Sequence, residues 1–120
     1  MDQSGSFDRR YRLLKPEDFR YVFEKACKVS DRYLTLLARP NNIGYPRLGM
    51  AIAKKQIKTA VGRNRVKRQI RESFRLHKEI IGGLDIVILA RSGSDRCDPR
   101  KLQASLDNRW RELVKRCASS

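Results

Sequence analysis

Residues 47 to 91 read RLGMAIAKKQIKTAVGRNRVKRQIRESFRLHKEIIGGLDIVILAR, and this stretch decides the fold. From Arg47 to Ala53 the residues alternate, so Leu48, Met50 and Ile52 point to one side of a strand and Gly49, Ala51 and Ala53 to the other. The first side is core. The second is nearly flat, which suits either the floor of a groove or a closely packed helix. Thr59 to Ile80 then carries apolar residues at helical spacing until Gly82 and Gly83 end the helix. Asp85 to Arg91 follows as a buried strand built on Ile86, Val87, Ile88 and Leu89.

The helix in the middle of this stretch is strongly cationic. Between Lys54 and Lys78 stand ten Lys or Arg against one carboxylate, Glu72, so nine of the fifteen net positive charges fall here. Helical geometry sends Val66, Ile70, Phe74 and Ile81 into one arc and Lys67, Arg68, Arg71, Arg75 and Lys78 into the next. A merely solvated helix mixes signs to gain i,i+4 pairs, whereas stacked like charges repel by some tenths of a kcal/mol per pair. Phosphates would offset that repulsion, and the planar fork of arginine binds them in a way lysine cannot. Asn64 adds a side chain that both donates and accepts, or else serves only as a local cap.

Outward from this stretch, Pro16, Glu17 and Asp18 open a short helix, about 16 to 26, with Phe19, Val22, Phe23 and Ala26 at helical spacing. Tyr33 to Arg39 is a strand expected to pair with 47 to 53 as an antiparallel hairpin, with Asn41, Asn42, Gly44 and Pro46 supplying the turn. Lys28 to Ser30 is weaker strand sequence. Asp98 and Pro99 start a last helix whose apolar stripe is Leu102, Leu106, Trp110, Leu113 and Cys117.

The chain has 120 residues, 28 Lys or Arg and 13 Asp or Glu, with 40% hydrophobic content, so one domain with a modest core and a polyanionic partner is expected. Residues 1 to 10 are unpatterned and read as a flexible tail, with no apolar region of a secretory signal. No run approaches the roughly 18 apolar residues of a membrane span, so the expected location is cytoplasmic. Cys27, Cys97 and Cys117 lie far apart with only His77 to assist, which argues against a disulfide or a zinc site.

At Val61-Gly62-Arg63-Asn64-Arg65-Val66-Lys67-Arg68 the chain resembles the bacterial ribonuclease P protein family, whose hallmark is Arg-Asn-Arg followed by Lys-Arg. The likeness runs from about residue 11 to 116, through Arg12-Leu13, Asp18-Phe19, Val22-Phe23, Leu48 to Lys55, Arg71-Glu72-Ser73-Phe74-Arg75 and Asp85 to Arg91. It implies a single α+β domain over 11 to 118, an α-β-β-β-α-β-α sandwich of the ribosomal protein S5 domain 2-like kind. Its four-stranded mixed sheet would have a left-handed βαβ crossover, against the right-handed rule that holds in about 98% of cases.

The resemblance further implies a protein subunit of the ribonucleoprotein that removes the 5′ leader from precursor tRNA. The catalytic centre and its Mg²⁺ would lie in the RNA subunit, with one protein per RNA and no catalytic or metal-binding residue in this chain. Arg63, Asn64, Arg65, Lys67, Arg68 and Arg71 would contact the RNA subunit. Phe19, Phe23, Ala51, Ala53, Lys54 and Lys55 would line a cleft for the single-stranded leader. Lys15 is a poor helix cap and Gly62 would loosen the first turn of the basic helix. Two rivals are a free-standing nuclease, for which no cluster of metal ligands or acids is visible, and a small basic ribosomal or other structural RNA-binding protein.

Overall fold

The computed structural model describes residues 8 to 119, so the tail expected over 1 to 10 falls, for residues 1 to 7, outside the described residues. A 3-10 turn at Arg9–Tyr11, capped by Asp8, leads into α1 (Pro16–Glu24), β1 (Cys27–Ser30), β2 (Leu34–Pro40), β3 (Arg47–Ala51), α2 (Ala60–Ile81), β4 (Leu84–Ala90) and α3 (Pro99–Ser119). The four strands form one mixed sheet in the order β1-β2-β4-β3, with β3 and β4 parallel and the other neighbours antiparallel.

The expected hairpin between β2 and β3 does not form, because β4 lies between them. Ile86, Val87 and Ile88 are each fully buried, and a strand apolar on both faces is most stable at the centre of a sheet. Asp85 adds a polar reason. Its buried carboxylate accepts from Arg47 on β3, Nε at 2.9 Å and Nη2 at 2.7 Å, and from Asn41 Nδ2 at 2.9 Å just after β2. The turn residues therefore bridge across β4. Asn41 N–H donates to the Gly83 carbonyl at 3.0 Å, and its side-chain oxygen accepts from Ile43 N–H.

The two sheet faces bury different amounts of apolar surface. Leu34, Leu36, Leu48, Ile86 and Ile88 pack with Val66, Ile70 and Phe74 of α2 and Leu102, Leu106, Trp110 and Leu113 of α3. Trp110 meets Phe74 edge to face at 6.1 Å and donates its indole N–H to Ser73 Oγ at 2.8 Å. On the other face α1 covers less: Val22 and Phe19 join Leu13, Leu37, Val87 and Leu89. Tyr21 fixes the far end of α1, donating its hydroxyl to the Pro40 carbonyl at 2.7 Å while Arg39 stacks on its ring at 3.8 Å.

Strand β3 ends at Ala51, so Ala53 belongs to the following turn and not to the flat strand face. The outer edge of β3 is covered by the N-terminal segment: Arg12 forms a parallel bridge with Leu48, and Leu13 N–H donates to the Leu48 carbonyl at 3.0 Å. The first turn of α2 is also tighter than expected. Thr59 Oγ1 caps it by accepting from Gly62 N–H, and Gly62 is buried where a Cβ would stand 3.0 Å from Asp95 Oδ2, Ile57 Cγ2 and Thr59 Oγ1. Gly62 admits the 92–97 loop to the helix start. At the start of α1, Asp18 reaches back to accept from Lys15 N–H at 3.3 Å, which supplies part of the cap that Lys15 lacks.

Candidate nucleic-acid interface

The six expected RNA-contact residues of α2 divide into three groups. Asn64, Lys67, Arg68 and Arg71 fall on one arc, with Asn64 and Arg68 exposed and Lys67 and Arg71 half-buried. Arg65 lies about 100° round the helix from Asn64 and lines a separate cleft with Gln69, Asp95 and Arg96. Arg63 turns back on the chain: its Nη1 donates to the Ile57 carbonyl at 2.9 Å and the Lys58 carbonyl at 3.1 Å. The Arg-Asn-Arg motif is thus a brace followed by two differently aimed polar groups.

The half-buried Arg71 guanidinium is held below its ordinary value, first by burial and then by the positive charges of Arg12 and Arg68. It remains a cation at neutral pH, but one surrounded by like charge. Glu72, the one carboxylate within Lys54 to Lys78, is engaged by Arg75 at 2.5 Å. Farther along, Lys78 Nζ sits 3.9 Å from the centre of the Tyr11 ring, and Tyr11 meets Tyr45 edge to face at 5.6 Å.

The second feature lies on the α1 side of the sheet. In register, Gly49, Val87 and Leu37 form one row, which Phe19 and Val22 cover, and Ala51, Leu89 and Thr35 form the next. The second row is the floor of an open groove of about 810 Å³, with Ala53 and Gln56 at one end and Arg32 and Arg91 on its rim. Phe19 lies one same-face position along β3 from the groove, roughly 7 Å away. Its ring is half-buried over Gly49, while Phe23 is 50% exposed; neither lines the groove itself. Lys54 and Lys55 are exposed in the turn that leaves the groove, where Ala53 O accepts from the Gln56 and Ile57 amides.

Eight of the twelve expected site residues gather in two places joined by one loop, while Arg63, Arg65, Phe19 and Phe23 lie outside both. Ala51, Ala53, Lys54 and Lys55 belong to the groove end, and Asn64, Lys67, Arg68 and Arg71 to the helix face. Arg32, Gln56 and Arg91 line the groove and Arg12 lies near Arg71, beyond the residues the sequence singles out. Arg91 was readable from the sequence, because it follows Leu89 at the two-residue spacing of one strand face. Arg12 comes from a remote segment, and nothing local in sequence signals its approach to α2.

The other reactive side chains serve packing. His77 Nδ1 lies 2.7 Å from the Ser73 carbonyl and Nε2 3.4 Å from Asp107 Oδ1, in the seam between α2 and α3. Burial and the neighbouring Cys27 push the Cys117 thiol up to about 12, far from a reactive thiolate. Among the described residues no group of three or more His, Cys, Asp or Glu is placed to hold a metal ion, and no helix is long and apolar enough to cross a membrane.

Comparison with known proteins points to one family throughout. The model of the ribonuclease P family matches residues 7 to 114. The chain is 47% identical over 118 residues to the ribonuclease P protein component of Methylococcus capsulatus, covering 98% of this chain and 92% of that protein. It is 43% identical over 120 residues to that of Nitrosococcus oceani, covering both chains fully. Among solved structures, the fold is similar to the RNase P protein of Staphylococcus aureus, with a TM-score of 0.76 at 34% identity over 88% of this chain and 93% of that one. That of Thermotoga maritima also gives a TM-score of 0.76, at 32% identity over 85% and 96% of the two chains.

Proposed function

The chain belongs to the ribonuclease P protein family and is a protein subunit of ribonuclease P, and from that premise we propose how it assists the enzyme. It binds the catalytic RNA through the cationic face of α2 and holds the 5′ leader of precursor tRNA along the groove. The RNA subunit carries out the endonucleolytic cut that makes the mature tRNA 5′ end, with one protein per RNA, in the cytoplasm.

The observation that carries this reading is the loop between β3 and α2, which leads from the groove straight into the basic helix and is braced there by Arg63. A leader held in the groove would lie beside the RNA gripped by the helix. The floor of Ala51, Leu89 and Thr35 carries one side-chain hydroxyl, so it makes little demand on base identity. Phe23, half exposed beside the groove, offers a ring on which a base leaving it would stack, worth about 1 to 3 kcal/mol per base. Lys54, Lys55, Arg32 and Arg91 would meet the leader's phosphates.

Mg²⁺ is assigned to the RNA subunit, where it would activate water. Among the described residues this chain brings together no group of three or more His, Cys, Asp or Glu that would hold the ion itself. The test mixes precursor tRNA with the RNA subunit, the protein, or both, at limiting Mg²⁺. The expected result is accurate leader removal by the complex and none by the protein alone; cleavage by the isolated protein would overturn the assignment. Recovery of ribosomal RNA as the only RNA bound in a lysate would favour the structural RNA-binding alternative.

A further inference from the structure

We propose that the cationic hollow where α1 gives way to β1 holds the distal part of the 5′ leader, the nucleotides upstream of those in the groove. The inference rests on the proposed function, since it extends the path of the same substrate.

The hollow has a volume of about 720 Å³, and Tyr21, Lys25, Lys28, Arg39 and Arg116 stand around it. Four of its lining residues are cations and none is a carboxylate. Glu24 and Glu112 do not line it; each approaches one of its arginines only to 3.8 Å, with side chains 64% and 42% exposed, and such loose pairs offset little charge. Arg39 is the fixed cation. Its Nη1 donates to the Tyr21 carbonyl at 2.7 Å and its guanidinium lies 3.8 Å from the centre of the Tyr21 ring, whose hydroxyl is anchored on the Pro40 carbonyl. A fork already held in place gives up little further freedom when it meets a phosphate oxygen. Lys25, Lys28 and Arg116 are exposed around it. Scattered lysines suit any solvated surface, but here they converge on a concave site with an immobilised guanidinium in its wall.

The direction of the groove says which phosphates arrive. Its floor crosses the sheet from Ala51 on β3 through Leu89 to Thr35 on β2, and Thr35 is in register with Ser30 of β1. Arg32 stands on the rim at that end. A strand leaving there meets the outer edge of β1, where Lys28 lies on the same face as Ser30 and roughly 7 Å along. Lys28 also borders the hollow, so it joins the two sites. The opposite end of the groove leads through Lys54 and Lys55 into the helix that grips the RNA subunit, and the cut end of the leader belongs there. Its upstream end therefore leaves toward β1, the strand farthest from β3 in the sheet.

The experiment uses the complex of full chain and RNA subunit, with precursor tRNAs whose leaders are lengthened one nucleotide at a time, and compares the parent with Lys25→Ala/Lys28→Ala and with Arg116→Ala. With the parent, affinity should rise as the leader extends past the groove and then level off. The double variant should match the parent on the shortest leaders and bind the longest roughly tenfold more weakly, with a log-salt slope about two units shallower there. Arg116→Ala should show the same length dependence with a slope change of about one. All three residues are exposed, and melting curves matching the parent check that the variants fold. A loss equal at every leader length, a loss in binding the RNA subunit alone, or variants that match the parent on the longest leaders would each overturn the site while leaving the function intact. If the parent complex binds short-leader precursor no better than mature tRNA, the proposed leader groove falls and this inference with it.

Discussion

A Cβ built on Gly49 would stand 2.6 Å from Phe19 Cζ and 2.7 Å from Cε2, so the Phe19 ring occupies the space any larger residue at 49 would fill. The flat strand face is therefore a seat for one aromatic ring at Gly49 and open floor at Ala51. Gly49→Ala should displace the ring, at a cost of about 1 to 3 kcal/mol in unfolding free energy. Preference for precursor over mature tRNA should fall, with RNA-subunit affinity unchanged. Equal losses for both tRNAs would separate Phe19 from the leader.

That seat shows what the sequence conceals. The alternation of Leu48, Met50 and Ile52 against Gly49 and Ala51 predicted a flat face, and left open whether a groove or a helix uses it. Both do, in successive rows. The elements themselves were legible because helical and strand periodicity, Pro16, Thr59, Gly82 and Pro99 are local signals. The strand order was not, because it depends on where β4 finds burial on both faces and where Asp85 finds Arg47. The Arg-Asn-Arg motif is a local signal, yet the inward turn of Arg63 and the approach of Arg12 to α2 are tertiary facts.

Asp85 supplies a stability test. It is 1% exposed and satisfied by Arg47 and Asn41, so Asp85→Ala would strand the partly buried Arg47 guanidinium and free the end of β3. Losses of about 3 to 5 kcal/mol are typical when one partner of a buried pair is removed. Urea unfolding should show this, with Arg47→Met less harmful in an Asp85→Leu background than alone.

Acid sensitivity should centre on Asp31. Burial pushes its carboxyl up, but the Ser105 hydroxyl, the Tyr33 and Leu34 amides and the Arg109 charge together hold it below the usual carboxylate value. A depressed native value means stability that is fully present above the unfolded-state pKa, about 3.9, and lost as pH falls through the native one. Asp31→Asn should be less stable than the parent at neutral pH, and the difference should shrink below about pH 4. Urea midpoints across that range would check it; a gap that stays constant would remove Asp31 from the acid response.

The charge of the helix face should appear in salt dependence. If α2 displaces counterions from roughly 5 to 8 phosphates, the slope of log affinity against log salt should be about −4 to −7. Arg68→Ala should flatten it by about one. Arg65→Ala should flatten it similarly, but its loss should add independently to that of Arg68, because Arg65 faces a different cleft.

Arg63 should behave differently from its neighbours, because its Nη1 is spent on the Ile57 and Lys58 carbonyls. Arg63→Lys keeps the charge and so should nearly preserve the salt slope, while the shorter lysine does not carry a donor to where Nη1 meets both carbonyls. Loss of that brace should free the turn carrying Lys54 and Lys55. The expected signature is faster amide hydrogen exchange around Gln56 and Ile57, with weaker discrimination between precursor and mature tRNA. Should Arg63→Lys instead flatten the salt slope and leave exchange unchanged, Arg63 would be a direct phosphate contact, and the loop would owe its order to Thr59 and Gly62.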